Sequence, residues 1–136
     1  MQKHSEAEGR STIIVVDDDR AVRHSLKFSL EVEGYSVRAF AVGGDLLASS
    51  LPHRYACLVI DQNLPGMSGL QLVSRLRERH IMTPAILTTT NPSAALVAQA
   101  KRAGVSIVEK PLFGNVLVDR IRDLCTPRSD RHGEAN

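Results

Sequence analysis

Three aspartates, two threonines and a lysine stand where short apolar runs end, and together they suit one kind of chemistry. Asp17 and Asp18 follow Ile13-Ile14-Val15-Val16, and Asp61 follows Ala56-Cys57-Leu58-Val59-Ile60. Thr88 and Thr89 close the run that opens at Pro84-Ala85-Ile86-Leu87, and Lys110 stands two residues beyond Val108. Carboxylates brought together without a counter-charge repel and raise one another's pKa values. Oxygen-only ligands suit a hard cation such as Mg²⁺, which takes a few carboxylates and keeps several waters. A hydroxyl and an ammonium opposite the metal could hold the remaining oxygens of a phosphoryl group, giving the positioning and charge neutralisation that phosphoryl transfer needs. Singly, each residue has an ordinary reading. An acid after a strand is commonly the N-cap of the next helix, and Asp19, just before Arg20-Ala21-Val22, is read that way.

Residues this far apart in sequence meet only if the elements carrying them run side by side. The β-branched run 13–16 has the character of a strand buried on both faces. A helical pattern follows over 21–33, with Val22, Leu26 and Leu30 four apart and Gly34 as its stop. A second strand is predicted at 35–40, a short helix at 45–50 and a third strand at 56–60. Ser68 is the predicted N-cap of a helix to Arg79 that turns Leu72, Val73 and Leu76 inward. The fourth strand runs from Pro84 into Thr88-Thr89-Thr90. Asn91-Pro92 reads as the next helix start, with Asn91 as N-cap and Pro92 at the first helical position. Gly104 ends that helix, 105–108 is the fifth strand, and 113–125 the last helix, with Val116, Leu117, Ile121 and Leu124 apolar. Five strand–helix units in alternation demand an α/β, doubly wound parallel sheet with helices on both faces. In such a sheet a ligand sits at the carboxyl ends of the strands, where the acids, threonines and lysine fall.

The chain has 136 residues, 43% of them apolar and 24% charged, an ordinary globular composition. A net charge of +2 and 4% aromatics, with no Trp, argue against nucleic-acid binding by this chain and against a membrane surface. Cys57 and Cys125 have no metal-ligand or C-x-x-C spacing and read as thiols in a reducing compartment. Residues 1–10 lack the apolar core of a signal peptide, and no apolar stretch approaches the ~18 residues of a membrane span. The expected location is the cytoplasm. The expected division is a flexible leader at 1–10, a folded domain at 11–125, and a flexible tail or linker stub at 126–136. A stub of that length is too short for an effector domain, so the chain is either a single-domain protein or a piece of a longer one.

The motifs V-V-D-D-D at 15–19, V-I-D-Q-N-L-P-G-M-S-G at 59–69, P-A-I-L-T-T at 84–89 and E-K-P-L at 109–112 resemble those of the receiver domains of bacterial two-component response regulators. The resemblance covers about 11–125 and implies a flavodoxin-like (βα)5 fold with strand order 2-1-3-4-5. It implies that Asp61 accepts the phosphoryl group in a Mg²⁺-dependent reaction, that Asp18 binds the metal directly, and that Asp17 acts largely through bound water. Asn63 would add its backbone carbonyl as a ligand, Thr89 would be the switch hydroxyl, and Lys110 the lysine, its bond to Pro111 commonly cis in the family. Asn63 and Asn91 occupy the positions that tune hydrolysis of the aspartyl phosphate, and neither is an acid able to act as a base toward water.

Two positions depart from the family pattern. Ile107 stands where the family usually has Tyr or Phe, and Ser68 where Asp or Asn is frequent. The implied partners are a sensor histidine kinase or histidine phosphotransfer protein, and a downstream protein target or a missing effector domain. The implied output face, on the fourth helix, fifth strand and fifth helix, includes Gln99, Lys101, Arg102, Ile107 and Glu109, and a phosphorylation-dependent homodimer is a further expectation. Two other functions compete with the non-enzymatic signalling switch. One is a small phosphohydrolase of the haloacid dehalogenase type, using Asp17 and Asp19 as a D-x-D pair. The other is a receiver-like scaffold that is never phosphorylated.

Overall fold

The β-branched residues between Thr12 and Val16 form the central strand β1, and the remaining elements are laid against it. A computed structural model describes residues 11–49, 56–112 and 114–125. The leader at 1–10, the tail at 126–136, Ser50 and Phe113 fall outside the described residues. The elements are β1 (Thr12–Val16), α1 (Arg20–Val32), β2 (Ser36–Phe40), α2 (Gly43–Ala48), β3 (Cys57–Asp61), α3 (Gly69–Glu78), β4 (Ala85–Thr89), α4 (Ala94–Arg102), β5 (Ser106–Glu109) and α5 (Val116–Cys125). All four strand pairings are parallel, in the order β2-β1-β3-β4-β5. This is the doubly wound sheet expected from the alternation of runs, in the strand order that the resemblance implied.

Alternation along the strands separates two apolar layers. Ile14, Leu58, Ile60 and Leu87 pack with Leu46 of α2 and Leu72 of α3. Ile13, Val15, Val59 and Ile86 pack with Leu30 of α1 and Ile121 of α5. Every residue of β3 and β4 is buried, which is why their runs show no polar alternation. Each fully buried Leu or Ile contributes about 1.5–3 kcal/mol relative to exposure. Leu72, Val73 and Leu76 are all buried, as their spacing predicts, whereas Val116 faces solvent.

The helix starts follow local chemistry. Asp19 caps α1, its carboxylate accepting from the N–H groups of Ala21 and Val22. Ser68 caps α3 in a reciprocal capping box with Gln71. Asn91 does not cap α4. Its φ of +48° puts it in the left-handed region, while an N-cap needs extended backbone. Ser93 has that backbone, and its hydroxyl accepts from Leu96 N–H at 3.1 Å. The predicted start therefore moves two residues, because Asn91 serves as the kink between β4 and the helix. The α2 helix begins at Gly43, two residues before its predicted start, on an N-cap (Val42) whose side chain makes no cap bond, so it left no sequence signal.

The first turn of α3 lies directly against the end of β3. A Cβ at Gly69 would stand 2.5 Å from the Asp61 carbonyl oxygen and 2.8 Å from Leu87 Cδ1. Backbone cannot yield as a side-chain tip can, so Gly69→Ala should lower stability by about 1–3 kcal/mol. Urea unfolding of the two proteins measures this, and a loss below about 0.5 kcal/mol would contradict the close approach.

Candidate functional site

The parallel topology delivers the carboxyl ends of β1, β3, β4 and β5 to one rim, and the titratable groups converge there. Asp61 is the last residue of β3 and 5% exposed, and Asp17 immediately follows β1 at 2%. Asp18 is open to solvent. The three residues each offer a carboxylate oxygen within 4.8 Å of the others. The Lys110 ammonium lies 3.2 Å from Asp17 Oδ2 and 3.3 Å from Asp61 Oδ1, bridging the two buried acids. Lys110 is itself anchored, its N–H donating to the Thr89 carbonyl at 2.7 Å, and its bond to Pro111 is cis.

Thr88 and Thr89 end β4, both buried, with Thr88 in register opposite Asp61 and Thr89 opposite Glu109. The Asn63 N–H reaches Asp61 Oδ1 at 3.4 Å, a long contact. Asn63 and Asn91 are exposed on the two loops flanking the rim, and Ile107 of β5 packs half-buried against the layer containing Leu87. Asp19 stays on its helix and does not join the acid group, which removes the second acid of the D-x-D reading. The site therefore gathers Asp17, Asp18, Asp61 and Lys110 tightly, with Thr89 beside them.

Reading the sequence missed Arg23. Its Nη1 donates to the Asp17 carbonyl at 2.8 Å from the first turn of α1. An arginine near a helix start has no pattern that distinguishes it from a solvated one. A cavity of about 580 Å³ between α1 and α5, lined by Asp19, Val22, Ser25, Lys110, Leu112 and Leu117, opens beside the same rim. It too lacks a linear signature.

The donor set fits Mg²⁺. It consists of carboxylates alone, one of them exposed enough to keep metal-bound water, and it includes no soft ligand. Asp18 and Asp61 would hold such an ion, which would neutralise phosphoryl oxygens.

Comparison with known proteins agrees with this geometry. Residues 13–122 match the family model for the response regulator receiver domain. Nodulation protein W of Bradyrhizobium diazoefficiens is 33% identical over 119 residues, covering 87% of this chain and 52% of that protein. The C4-dicarboxylate transport transcriptional regulatory protein DctR of Rhodobacter capsulatus is 35% identical over 127 residues, 91% of this chain and 64% of that one. The chain thus spans about half to two thirds of these relatives. Among solved structures, the chemotaxis protein CheY4 of Vibrio cholerae superposes with a TM-score of 0.79 at 25% identity, covering 85% of this chain and 99% of that one. A CheY-like receiver domain protein of Methanospirillum hungatei gives 0.77 at 26%, covering 94% and 100%.

Burial raises the Asp61 pKa above the ordinary carboxylate range, and the Asp17 charge adds to it. Lys110 and the Asn63 N–H oppose the rise without cancelling it. For Lys110, burial works to lower the pKa, but Asp17 and Asp61 outweigh it and the net shift is upward. An acid whose pKa is higher folded than unfolded binds more protons in the native state, so stability falls as pH rises through that window. In EDTA near pH 7, Asp61→Asn should therefore be more stable than the parent, with the gain shrinking as pH falls toward about 4. Urea midpoints at the two pH values check this. A variant less stable at neutral pH, or a gain that grows on acidification, would contradict the assignment.

Proposed function

The chain belongs to the response regulator receiver family, and from that premise we propose that Asp61 takes a phosphoryl group from a phosphohistidine donor. The observation carrying this reading is the Lys110 ammonium shared between Asp61 and Asp17, with Asp18 completing an oxygen-only metal group. Both contacts to the Asp61 carboxylate fall on Oδ1, which leaves Oδ2 uncommitted for attack on phosphorus. An O–P bond forms at Oδ2 as the donor's P–N bond breaks, and the electron pair stays on the imidazole nitrogen. The Lys110 ammonium transfers from the acids to a phosphoryl oxygen, a charge-assisted contact of the same kind. The Thr89 hydroxyl closes on a second oxygen, and the Asn63 carbonyl would help to hold a bound Mg²⁺.

The donor is a sensor histidine kinase or histidine phosphotransfer protein, and the setting is the cytoplasm. Asn63 and Asn91 provide no base for the attacking water, which favours a longer-lived phosphate. Switching acts on the face of α4, β5 and α5, where Gln99, Lys101, Arg102 and Glu109 are exposed beside Ile107. The recipient is a downstream protein, an attached effector domain or a second copy of the chain.

With acetyl phosphate and Mg²⁺, the wild-type protein should gain the mass of one phosphoryl group, and Asp61→Asn should gain none. Labelling of the variant to the wild-type extent would remove Asp61 from the acceptor role, and repeated turnover without a stable adduct would favour a phosphohydrolase.

Ile107 shapes how the switch is transmitted. A β-branched side chain, stiff at χ1, has less displacement to offer than a ring. The response should therefore run through the 89–92 loop and α4. Methyl and backbone NMR with beryllofluoride, standing in for the phosphoryl group, should show backbone shifts over 89–100 with the Ile107 rotamer retained. A rotamer change at Ile107 as large as the backbone response would refute this route.

A further inference from the structure

Asp17 is held at every polar atom. Its N–H donates to the Phe40 carbonyl at 3.1 Å, Oδ1 accepts from Asp19 N–H at 2.9 Å, and Oδ2 takes Lys110 at 3.2 Å. Its carbonyl oxygen accepts from Arg23 Nη1 at 2.8 Å. Three of these holds come from the backbone or from α1. The fourth, Lys110, is shared with Asp61 and is the one that an arriving phosphoryl group would draw away. The turn between β1 and α1 must then keep Asp17 and Asp18 aimed at Asp61 without it.

Arg23 is built for that task. It is half-buried, and it sits one turn into α1, where its own N–H bonds the Asp19 carbonyl at 3.0 Å. Its guanidinium makes no ion pair among the described residues, so it grips the neutral carbonyl of the turn and does not compete with a metal for carboxylate oxygens. A cation there comes from α1, a different element from the loop after β5 that carries Lys110, and it holds the Asp17 carbonyl, not its carboxylate. Its hold thus survives the movement of the lysine.

We propose that Arg23 is a positioning residue for the metal-binding acids, fixing the β1–α1 turn so that Asp17 and Asp18 stay directed at Asp61 when Lys110 leaves them. This rests on the phosphoryl-accepting reading above. Groups that orient metal ligands typically change metal affinity by about 10–100-fold when removed. Arg23→Met keeps the apolar stem and removes the donors, and Arg23→Lys restores a charge and a donor.

The test is direct titration with Mn²⁺, used as a paramagnetic stand-in for Mg²⁺ and followed by electron paramagnetic resonance, alongside acetyl phosphate labelling and thermal unfolding in EDTA. Arg23→Met should bind Mn²⁺ about tenfold more weakly, and Arg23→Lys should return to within about threefold of wild type. The Mg²⁺ concentration needed for half-maximal labelling should rise in step, while the extent at saturating Mg²⁺ holds. A lower melting temperature with unchanged Mn²⁺ affinity would make Arg23 a structural contact and overturn the proposal. If Arg23→Met does not fold, Arg23→Gln replaces it, with a loss of at least about threefold expected and an unchanged affinity overturning the idea. A wild-type protein that binds no Mn²⁺ and takes no label would instead overturn the phosphoryl-accepting reading, and this proposal with it.

Discussion

Two buried carboxylates sharing one ammonium set the terms for the rest of this molecule. Asp17 and Asp61 lie close enough to repel by a few kcal/mol, about 3–4 at an effective dielectric near 20, and burial removes the water that would screen them. Lys110 offsets the repulsion by standing 3.2 and 3.3 Å from the two. It does not cancel burial and repulsion together, since the Asp61 pKa still moves upward, with burial the larger cause and the Asp17 charge the second. An arrangement of this kind is stable enough to persist and unsatisfied enough to welcome a divalent cation. The parallel sheet follows from the same requirement, because only parallel strands bring four carboxyl ends from distant parts of the chain to one rim.

Burial divides the labour among the acids. Asp17 has both carboxylate oxygens engaged by protein groups and keeps little capacity for direct ligation. Asp18 is exposed and carries no such commitments among the described hydrogen bonds, so it is the acid with room for a hydrated ion. Asp61 stands between them, one oxygen toward Lys110 and one uncommitted. Neighbouring residues of the same type thus acquire different chemistry from their surroundings alone.

Most of the fold was legible because strands buried on both faces cannot hide: Ile13 to Val16 and Leu58 to Ile60 leave no polar alternation to confuse with a surface element. The acids, threonines and lysine were legible for a related reason, since each terminates such a run. Asn91 misled because the residue before a proline favours the extended backbone of an N-cap. Asn takes the left-handed kink here only because its side chain tolerates that region and the path of the chain out of β4 requires it. The start of α2 was hidden for want of a capping side chain. Arg23 was invisible because its partner is a main-chain carbonyl, and backbone acceptors have no residue type.

The sheet also works as a wall. Side chains of Ile14, Leu58 and Leu87 fill one compartment and those of Ile13, Val59 and Ile86 the other, with the strands themselves between. Repacking therefore has to balance its volume on each side separately. A methylene lost at Leu72 can be made good by a larger neighbour among the residues around Ile14, but not by any enlargement near Ile121. Substitutions in one compartment should therefore add independently to those in the other, while substitutions within a compartment couple through shared neighbours.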